Sequence, residues 1–544
     1  MRRAFRFLVV ALGLAPLGCG DPASGSDAGP ARRDAGSVGA DADVRTDAGA
    51  GADAARVDDA GPPCARLDGG SSVVRERLRG VWASTRAAYE TSIPSSLGRR
   101  DTTILYSLQL TTDPLLMWAE AQRDVQTIEE LAALFTIALD HLETQTEAVF
   151  FYVPPPIGTG ARSEVLPLPR PARMWVGAPG AHPIGGESVL DVAQFLAGAA
   201  RIVRIATEVG EARSPALAAF ARAFTPVIVD DTYARWIDHP EGFAGRFQRR
   251  GWACNEGAWG HAESVEHLIA RAYGTDALPS PPASPVSYCN AVTDTDLWIL
   301  AGALEVLVAH RRDPELVPMS AEAEALLTTE AQRGAALIAS RMSATSPPGA
   351  PGEGFDFDNG AFDDHADDAY AGDTDPSFPG YVVPGGPVAR PPTPARDVGW
   401  DLSHARRWVH VFDSFRRFAA EVDAPFEGER FVAGLARQLA FGASVGACPN
   451  VAFTNYFDGT NGWYRVNYAG RADYGFAPWA MTGVVAPSGY GLWSDVVPEL
   501  GDRVACAFAA LDTYDDADPA DARLLVAALP SLLPYGVPER YCGW

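Results

Sequence analysis

The folded part of this chain is predicted to be almost entirely helical. Apolar residues recur at helical spacing in about a dozen segments. Strand-like alternation is scarce, and the clearest short strand is 149–153. The segments group into about six helical hairpins of unequal length, whereas a solenoid requires a fixed repeat. The sequence therefore predicts an all-α domain folded as an α/α toroid, with long irregular loops and minor β structure.

Periodicity, caps and breakers define the individual helices. Segment 127–144 carries an apolar stripe that contains Ile128, Leu131 and Phe135. The last helix can be capped by Asp518, and Pro519 suits its first position. In chain order the predicted helices are 73–90, 115–122, 127–144, 188–208, 214–224, 260–273, 294–310, 321–343, 402–422, 427–443, 493–514 and 519–529.

The first twenty residues have the pattern of an export signal. A basic start precedes the apolar run 7–17, which is shorter than the roughly 20 residues that span a bilayer. Leu17, Gly18 and Cys19 resemble the lipobox of bacterial lipoproteins. The resemblance implies a signal peptide at 1–18 and lipidation of Cys19, which would anchor the protein in a membrane. Aspartate at position 20 would favour retention in the inner membrane, so Gly20 favours the outer membrane. An ordinary signal peptide is the alternative.

Residues 19–63 are predicted to form a lipidated, disordered tether. The stretch has no aromatic residue and repeats Asp-Ala-Gly. Such a composition cannot bury enough apolar surface to offset the entropy of the chain. No second tether-like stretch interrupts the remainder, so 64–544 is predicted to be a single domain, and we expect it to be a monomer.

Charge and residue usage exclude several classes of protein. The formal net charge of −25 argues against binding to nucleic acid. The sequence contains no lysine, which excludes Schiff-base lysines, lysine general bases and P-loop lysines. No His-Glu-x-x-His zinc motif occurs either.

Six cysteines remain once Cys19 is assigned to the lipid, an even number in an oxidising compartment. Six cysteines allow many pairings, so the sequence does not determine them. We expect pairs between neighbours along the chain and between the two ends. The expected pairs are Cys254 with Cys289, Cys448 with Cys506, and Cys64 with Cys542.

The segment 442–446 matches the Gly-x-Ser-x-Gly pattern of serine hydrolases. A nucleophile elbow requires a strand before the serine and a helix after it. Here a helical pattern precedes Ser444, and Pro449 follows closely. We therefore interpret the segment as the glycine-closed end of a helix.

The helix count and the aromatic-rich loops resemble those of the six-hairpin glycosidases and toroid polysaccharide lyases. The resemblance includes Trp-Ala-Cys-Asn-Glu at 252–256 and Gly-Trp-Asp-Leu-Ser-His at 399–404. It covers most of 65–544 and is architectural, without the diagnostic motif of any one family. It implies an inner ring of helices around a funnel, with long loops at one rim, and fold alone does not give function.

The first candidate site is the segment 254–261. The resemblance to toroid lyases implies that Asn255 helps to neutralise a uronate carboxylate and that His261 removes the C5 proton. Trp259 would bind a sugar ring. The alternative is that Asn255 caps a helix and His261 lies on its face.

The second candidate site is the segment 399–410. Asp401 or Ser403 can cap a helix that displays His404, Arg407 and Trp408 on one face. Arginine forks match carboxylates, so this pattern suits an anionic sugar, and Asp401 is a candidate general acid. Trp400 is a candidate sugar-binding residue, as is Trp408. The alternative is a capped helix with a solvent-facing arginine pair.

The third candidate site is an acidic loop that begins at residue 356. Its dense carboxylates suit Ca²⁺, and the candidate ligands are Asp356, Asp358, Asp363 and Asp364. The opening is similar to an EF-hand loop, but glycine comes one position early and Asp367 stands where glutamate is expected. Acid–base catalysis and a solvated loop are the alternatives.

The fourth candidate site is the aromatic loop 455–468, where Asn-Gly and Asp-Gly mark turns. Tyr464 or Tyr468 is a candidate acid or base for β-elimination, helped by Arg465. Trp463 and Tyr468 are candidate sugar-stacking residues. The alternative is that these aromatic side chains pack the loop onto the core.

These observations predict a cell-envelope lipoprotein that acts on a polysaccharide. Paired carboxylates would catalyse hydrolysis, whereas Asn, His, Tyr and Arg side chains would catalyse elimination. The clusters combine His, Arg and Tyr, which slightly favours elimination. A non-catalytic surface protein that binds glycan or protein is the alternative, and a structural envelope lipoprotein is a third interpretation. The expected partners are polysaccharide and, through the lipid, a membrane. No cofactor is predicted other than Ca²⁺.

Overall fold

The structure, a computed structural model, describes residues 71–152, 162–178, 186–238, 292–358, 366–378, 390–395, 398–466, 475–508 and 514–533. The predicted signal peptide, lipidated cysteine and tether, and the predicted helix 260–273, lie outside these residues. Within them the chain is mostly helical with three small antiparallel sheets. None of the helices in this part of the chain has the length and apolar character to cross a membrane.

Fourteen α-helices are described. They are α1 Ser71–Leu97, α2 Thr103–Gln122, α3 Val125–Ile137, α4 Val189–Val209, α5 Pro215–Pro226, α6 Ala234–Asp238, α7 Asp294–Arg312, α8 Ala321–Ser340, α9 Leu402–Ala405, α10 Arg407–Phe418, α11 Gly428–Arg437, α12 Thr482–Val485, α13 Pro498–Ala507 and α14 Pro519–Ala528. The strands pair as β1 Glu143–Tyr152 with β2 Arg162–Met174, β3 Met342–Thr345 with β4 Gly354–Phe357, and β5 Ser444–Val445 with β6 Ala452–Phe453.

Helices α2, α4, α7 and α10 pack together and run in parallel. Their N-terminal parts meet, because Arg407 contacts both Tyr106 and Asp294. Their C-terminal parts also meet, because Arg201 contacts Glu120 and Asp413. Helices that are in contact at both matching ends must point in the same direction.

Other helices pack against this parallel group. Helix α3 connects α2 to α4 and packs against both, and α8 packs against α7. The last helix, α14, packs against α1 and α2 at the start of the described chain. The two ends of the helical array are therefore in contact.

Several element boundaries differ from the sequence-based prediction. Helix α2 begins at Thr103 rather than at 115 because Pro114 is accommodated inside it. The predicted helix 127–144 ends earlier, since the α-helix stops at Ile137 and a 3₁₀ turn leads into β1. The predicted helix 493–514 is reduced to α13, which has Pro498 at its start.

The predicted strand 149–153 lies in β1, and its partner β2 was not predicted. Residues 167, 169 and 171 of β2 are prolines, which lack an amide donor and obscure a strand pattern. The pairing shifts register between Gln145 and Glu147. The minor β structure is therefore somewhat larger than the alternation in the sequence indicates.

A disulfide joins Cys448 to Cys506, with the Cα atoms 5.5 Å apart. It connects the loop between β5 and β6 to α13. This is the pair expected from the sequence. The other two expected pairs lie outside the described residues.

Two helix-interior glycines are expected to respond in opposite ways to alanine. A Cβ at Gly302 of α7 would lie 1.9 Å from the hydroxyl oxygen of the buried Tyr233. We expect Gly302→Ala to lower the free energy of unfolding by about 1–3 kcal/mol through overpacking. A Cβ at Gly80 of α1 meets nothing within 4 Å, so Gly80→Ala should raise the free energy of unfolding by about 0.5–1 kcal/mol. Urea unfolding of both variants measures these changes. The prediction is contradicted if both variants are stabilised or both are destabilised.

Candidate functional site

Asp401 organises the segment that carries His404. Its Oδ1 accepts hydrogen bonds from the backbone N–H groups of Ser403 and His404, and thereby caps α9 as predicted. Its Oδ2 lies 2.6 Å from His404 Nδ1. Both side chains are almost completely buried. The cap therefore also fixes the orientation of the imidazole ring.

The aromatic loop brings Tyr464 and Arg465 to the same ring. The Tyr464 hydroxyl lies 3.1 Å from His404 Nδ1, and Arg465 Nη2 lies 3.4 Å from His404 Nε2. Arg465 has a φ of 54°, in the left-handed region that non-glycine residues rarely adopt. Its backbone N–H donates to Asp367 O, and its Nε donates to Asp367 Oδ2. The acidic loop thus holds Arg465 against His404.

Two further groups from the acidic and aromatic loops complete this arrangement. Asp368 is buried and accepts a hydrogen bond from the Tyr456 hydroxyl at 3.3 Å. The backbone of Tyr456 pairs with Asp401 in an isolated bridge. We call the set of Asp367, Asp368, Asp401, His404, Tyr456, Tyr464 and Arg465 the His404 cluster.

Burial and neighbouring charges separate the protonation states within the His404 cluster. Burial alone would raise the pKa of Asp401, but His404 and Arg465 hold it well below its usual range. Burial lowers the pKa of His404 and outweighs the opposing effect of Asp401. Burial, with Asp367 and Asp401 nearby, raises the pKa of Asp368 well above its usual range. Burial also raises the pKa of Tyr464 strongly. Within the cluster the environment therefore favours the charged form of Asp401 and the neutral forms of His404, Asp368 and Tyr464.

The candidate sugar-binding tryptophans of this region are buried. Trp400 stacks parallel to the His404 ring, with the centroids 6.1 Å apart. Trp408 packs edge-on against Phe457 in the core. Trp463 packs against Phe378 in a small separate cluster. These rings support the site from behind, and none of them offers an open face for a sugar.

Arg407 lies at the N-terminal end of the four parallel helices. Its Nη1 donates to Ser403 O, which connects it to the segment with His404. Its Nη2 donates to the Tyr106 hydroxyl at 3.0 Å and lies 3.2 Å from Asp294 Oδ2. The helix face that carries residues 404, 407 and 408 therefore points into the protein. Arg407 is buried and forms an ion pair with Asp294.

A second imidazole–carboxylate pair lies one helical turn further along α10. His410 Nδ1 is 2.7 Å from Asp113 Oδ1, and the Trp298 ring packs edge-on against the imidazole. Buried polar atoms surround a cavity of about 20 Å³, enough for one water molecule. Several buried side-chain atoms at this cavity have no hydrogen-bond partner among the described residues: Gln109 Nε2, Gln194 Oε1, Trp298 Nε1 and Arg406 Nη2, together with Nε2 of the neighbouring His410.

Some predicted site residues are placed apart or lie outside the described residues. Asn255, Trp259, His261, Asp363, Asp364 and Tyr468 are outside them. Asp356 is on β4, where burial and the carboxylate of Asp458 raise its pKa to about 7. Asp358 follows it and is exposed. Within the described part of the chain, no group of three or more His, Cys, Asp or Glu side chains is arranged to hold a metal ion.

Ser444 lacks the surroundings of a catalytic serine. A π-helical turn ending at Gly442 precedes it, and its hydroxyl donates to Ala440 O. Arg503 donates to the same hydroxyl oxygen at 3.0 Å. The helical turn thus ends at Gly442, as interpreted from the sequence, whereas Ser444 and Val445 form β5.

Sequence reasoning missed several members of this region. Asp368 and Tyr456 lie in loops that the sequence singled out, and their density of acidic or aromatic residues was the available signal. Asp113 and His410 are 297 residues apart. They lie on different helices, so no local pattern connects them.

The comparisons with known proteins found no match. No protein-family model matches the chain, and no curated protein or solved structure is significantly similar to it.

Proposed function

We propose that this protein is an enzyme of the cell envelope that cleaves a uronate-containing polysaccharide by β-elimination. One observation carries the proposal: Asp401, His404 and Tyr464 share one hydrogen-bonded cluster. These three residues come from segments about 60 positions apart. A neutral imidazole and a protonated phenol in contact are a base and an acid that can act together.

In the proposed reaction His404 is the base. Its Nδ1 proton is held by Asp401, which leaves the lone pair on Nε2 to remove the C5 proton of a uronate. The C4–O bond breaks, the Tyr464 hydroxyl protonates the leaving oxygen, and a C4–C5 double bond remains in the product. The imidazolium then releases the C5 proton from Nε2 to water, and the Tyr464 phenolate takes up a proton from water, which restores both groups.

Arg465 provides positive charge for the uronate carboxylate. Arg465 Nη2 faces His404 Nε2, so the polymer must draw this guanidinium aside to reach the base. A carboxylate can do so because it forms a two-point ion pair with arginine.

Hydrolysis is the second candidate reaction, and Asp368 favours it. The surroundings raise the pKa of Asp368 and lower that of Asp401, and glycosidases need such a pair of unlike carboxyl groups. Asp368 would then protonate the glycosidic oxygen, while an ionised neighbour activates water. The two reactions give different products, so the product identifies the reaction.

The wider setting of the enzyme is also part of the proposal. The parallel group of helices and the contact between α14 and α1 fit an α/α toroid with the His404 cluster at its N-terminal rim. A lipid on Cys19 and the acidic tether would hold this domain at the outer membrane as a monomer. Calcium binding at the acidic loop remains a prediction and takes no part in the proposed reaction.

The reaction is tested with alginate, hyaluronan and other uronate polymers. We expect an ultraviolet absorbance from the unsaturated product with at least one polymer, and its loss in Tyr464→Phe. Tyr370→Phe is the matched control, because the Tyr370 hydroxyl donates to Arg390 O away from the His404 cluster. New reducing ends without absorbance would identify hydrolysis. Neither signal on any polymer would contradict the proposal and favour a non-catalytic binding protein.

A further inference from the structure

Trp479 is exposed to solvent, unlike the candidate sugar-binding tryptophans of the described residues. Its side chain is 39 % exposed, whereas Trp400, Trp408 and Trp463 are each at most 5 % exposed. Large aromatic side chains are normally covered in a folded protein, because burying their apolar surface is favourable. An exposed tryptophan on an ordered segment therefore calls for an explanation.

The backbone of Trp479 is strained in a way that keeps the ring in place. Its φ is 70°, in the left-handed region that suits glycine and that bulky residues rarely adopt. Its N–H donates to Asn461 Oδ1 at 2.8 Å, and its carbonyl accepts from Thr482 N at 3.1 Å. Glycine would adopt this turn without strain, so the fold alone gives no reason for tryptophan here.

Asn455 makes the segment around Trp479 rigid. This buried side chain donates from Nδ2 to Phe476 O and Ala477 O, and its Oδ1 accepts from Met481 N. The turn is therefore tied on both sides of Trp479. A ring held by such a turn loses little conformational entropy when a ligand binds to it.

The same segment is connected to the His404 cluster. Phe476 and Tyr464 exchange two backbone hydrogen bonds, at 2.8 and 3.1 Å, and their rings stack with the centroids 5.8 Å apart. Trp479 follows Phe476 by three positions, so it is rigidly connected to a residue of the proposed reaction. A ligand at the cluster that extends along this segment reaches the ring.

We propose that Trp479 is a stacking platform that binds a pyranose ring of the polymer beside the reacting residue. The axial C–H groups of a pyranose form an apolar face that matches an indole ring, and the sugar hydroxyls remain in water. This inference rests on the proposed function, because a polymer must occupy the cluster for the next ring to reach Trp479. A protein partner is less suited, since stable protein interfaces cover about 800 Å² on each side.

The test uses Trp479→Gly, Trp479→Ala and Trp479→Phe with a polymer that the wild-type protein cleaves. We expect Trp479→Gly to unfold at an equal or higher urea concentration than the wild type, because glycine relieves the left-handed strain. We expect its KM to rise by about tenfold or more, since the apolar contact is lost, while kcat changes less than KM. Trp479→Phe should retain most of the affinity.

Each outcome separates this inference from the proposed function. If the wild type cleaves a polymer and both small variants keep its KM, the platform is contradicted and the enzyme stands. If Trp479→Gly unfolds at lower urea, the ring packs the loop and the platform is contradicted as well. If the wild type neither binds nor cleaves any polymer, both proposals fail. Retained polymer cleavage with loss of an interaction with a second protein would assign Trp479 to a protein interface instead.

Discussion

Replacing Glu120 by glutamine is expected to lower the free energy of unfolding by about 3–5 kcal/mol. The Glu120 carboxylate lies 2.7 Å from Arg201 Nη2, 2.6 Å from Arg204 Nη2 and 2.5 Å from Arg417 Nη1. All four side chains are at most 10 % exposed. Glutamine has the same shape but no charge, so three buried guanidinium groups lose the carboxylate they share and keep only their other partners, such as Asp413 and Glu305. Urea unfolding measures the change.

The control for this prediction is Glu211→Gln. Glu211 also pairs with an arginine, Arg222, through two hydrogen bonds, but both side chains are half exposed. Water and salt screen such a pair, so its loss should have no measurable effect on unfolding. If both variants unfold at the same urea concentration, the buried network does not stabilise the fold.

The pH dependence of stability provides a second measurement on Glu120. Burial raises the pKa of Glu120, but three arginines lower it further, to well below the usual 4.5. The unfolded chain therefore binds a proton at Glu120 more readily than the folded protein does. The stabilisation is complete above about pH 4.5 and is lost as the pH falls toward the folded value. We expect a shallower loss of stability between about pH 3 and 4.5 in Glu120→Gln than in the wild type.

The second large effect is expected at His404. Replacing the proposed base by glutamine should lower kcat by about 10²- to 10⁴-fold on a polymer that the wild type cleaves. His141→Gln is the matched control, because His141 lies in the turn Ala138–His141 away from the His404 cluster and should leave kcat unchanged. Circular dichroism and urea unfolding show whether the variants are folded. A kcat for His404→Gln within twofold of the wild type would remove His404 from the reaction.

The pH profile distinguishes a base from a merely structural histidine. Burial lowers the pKa of His404 below its usual 6.5, so the ring stays neutral and basic down to lower pH. The acidic limb of kcat/KM should therefore lie below pH 6.5. Asp401→Asn removes the charge that raises this pKa, and asparagine still caps α9. We expect its acidic limb to move to lower pH, and an unchanged limb would contradict the role of His404.

Local patterns predicted the helices well and their boundaries less well. Apolar periodicity identifies α7 and α8, and the caps at Asp401 and Asp518 are confirmed. The same apolar periodicity continues past the end of α3, so the predicted helix extended to 144, where the structure has a 3₁₀ turn and the start of β1. A stripe of apolar residues reports that a segment is buried, and contacts with distant parts of the chain decide where the helix ends.

Much of the His404 cluster could also be anticipated from the sequence. Asp401, His404, Tyr464 and Arg465 stood out because polar and aromatic residues of reactive types occur together in short segments. Their partners Asp368 and Tyr456 were recognised only as parts of loops. Trp400 and Trp408 were expected to face a sugar, but they pack the core. A tryptophan in a polar motif can serve either purpose, and the sequence does not distinguish them.

By itself the sequence determined that the domain is mostly helical and which segments carry candidate chemistry, and neighbour pairing anticipated the disulfide between Cys448 and Cys506. The parallel packing of four helices, the buried network around Glu120 and the pair of His410 with Asp113 were decided by tertiary structure. The physical reason is that the two kinds of feature depend on interactions of different range along the chain. Helical periodicity and capping act over a few residues, whereas His410 and Asp113 meet across 297 positions and depend on how whole helices pack.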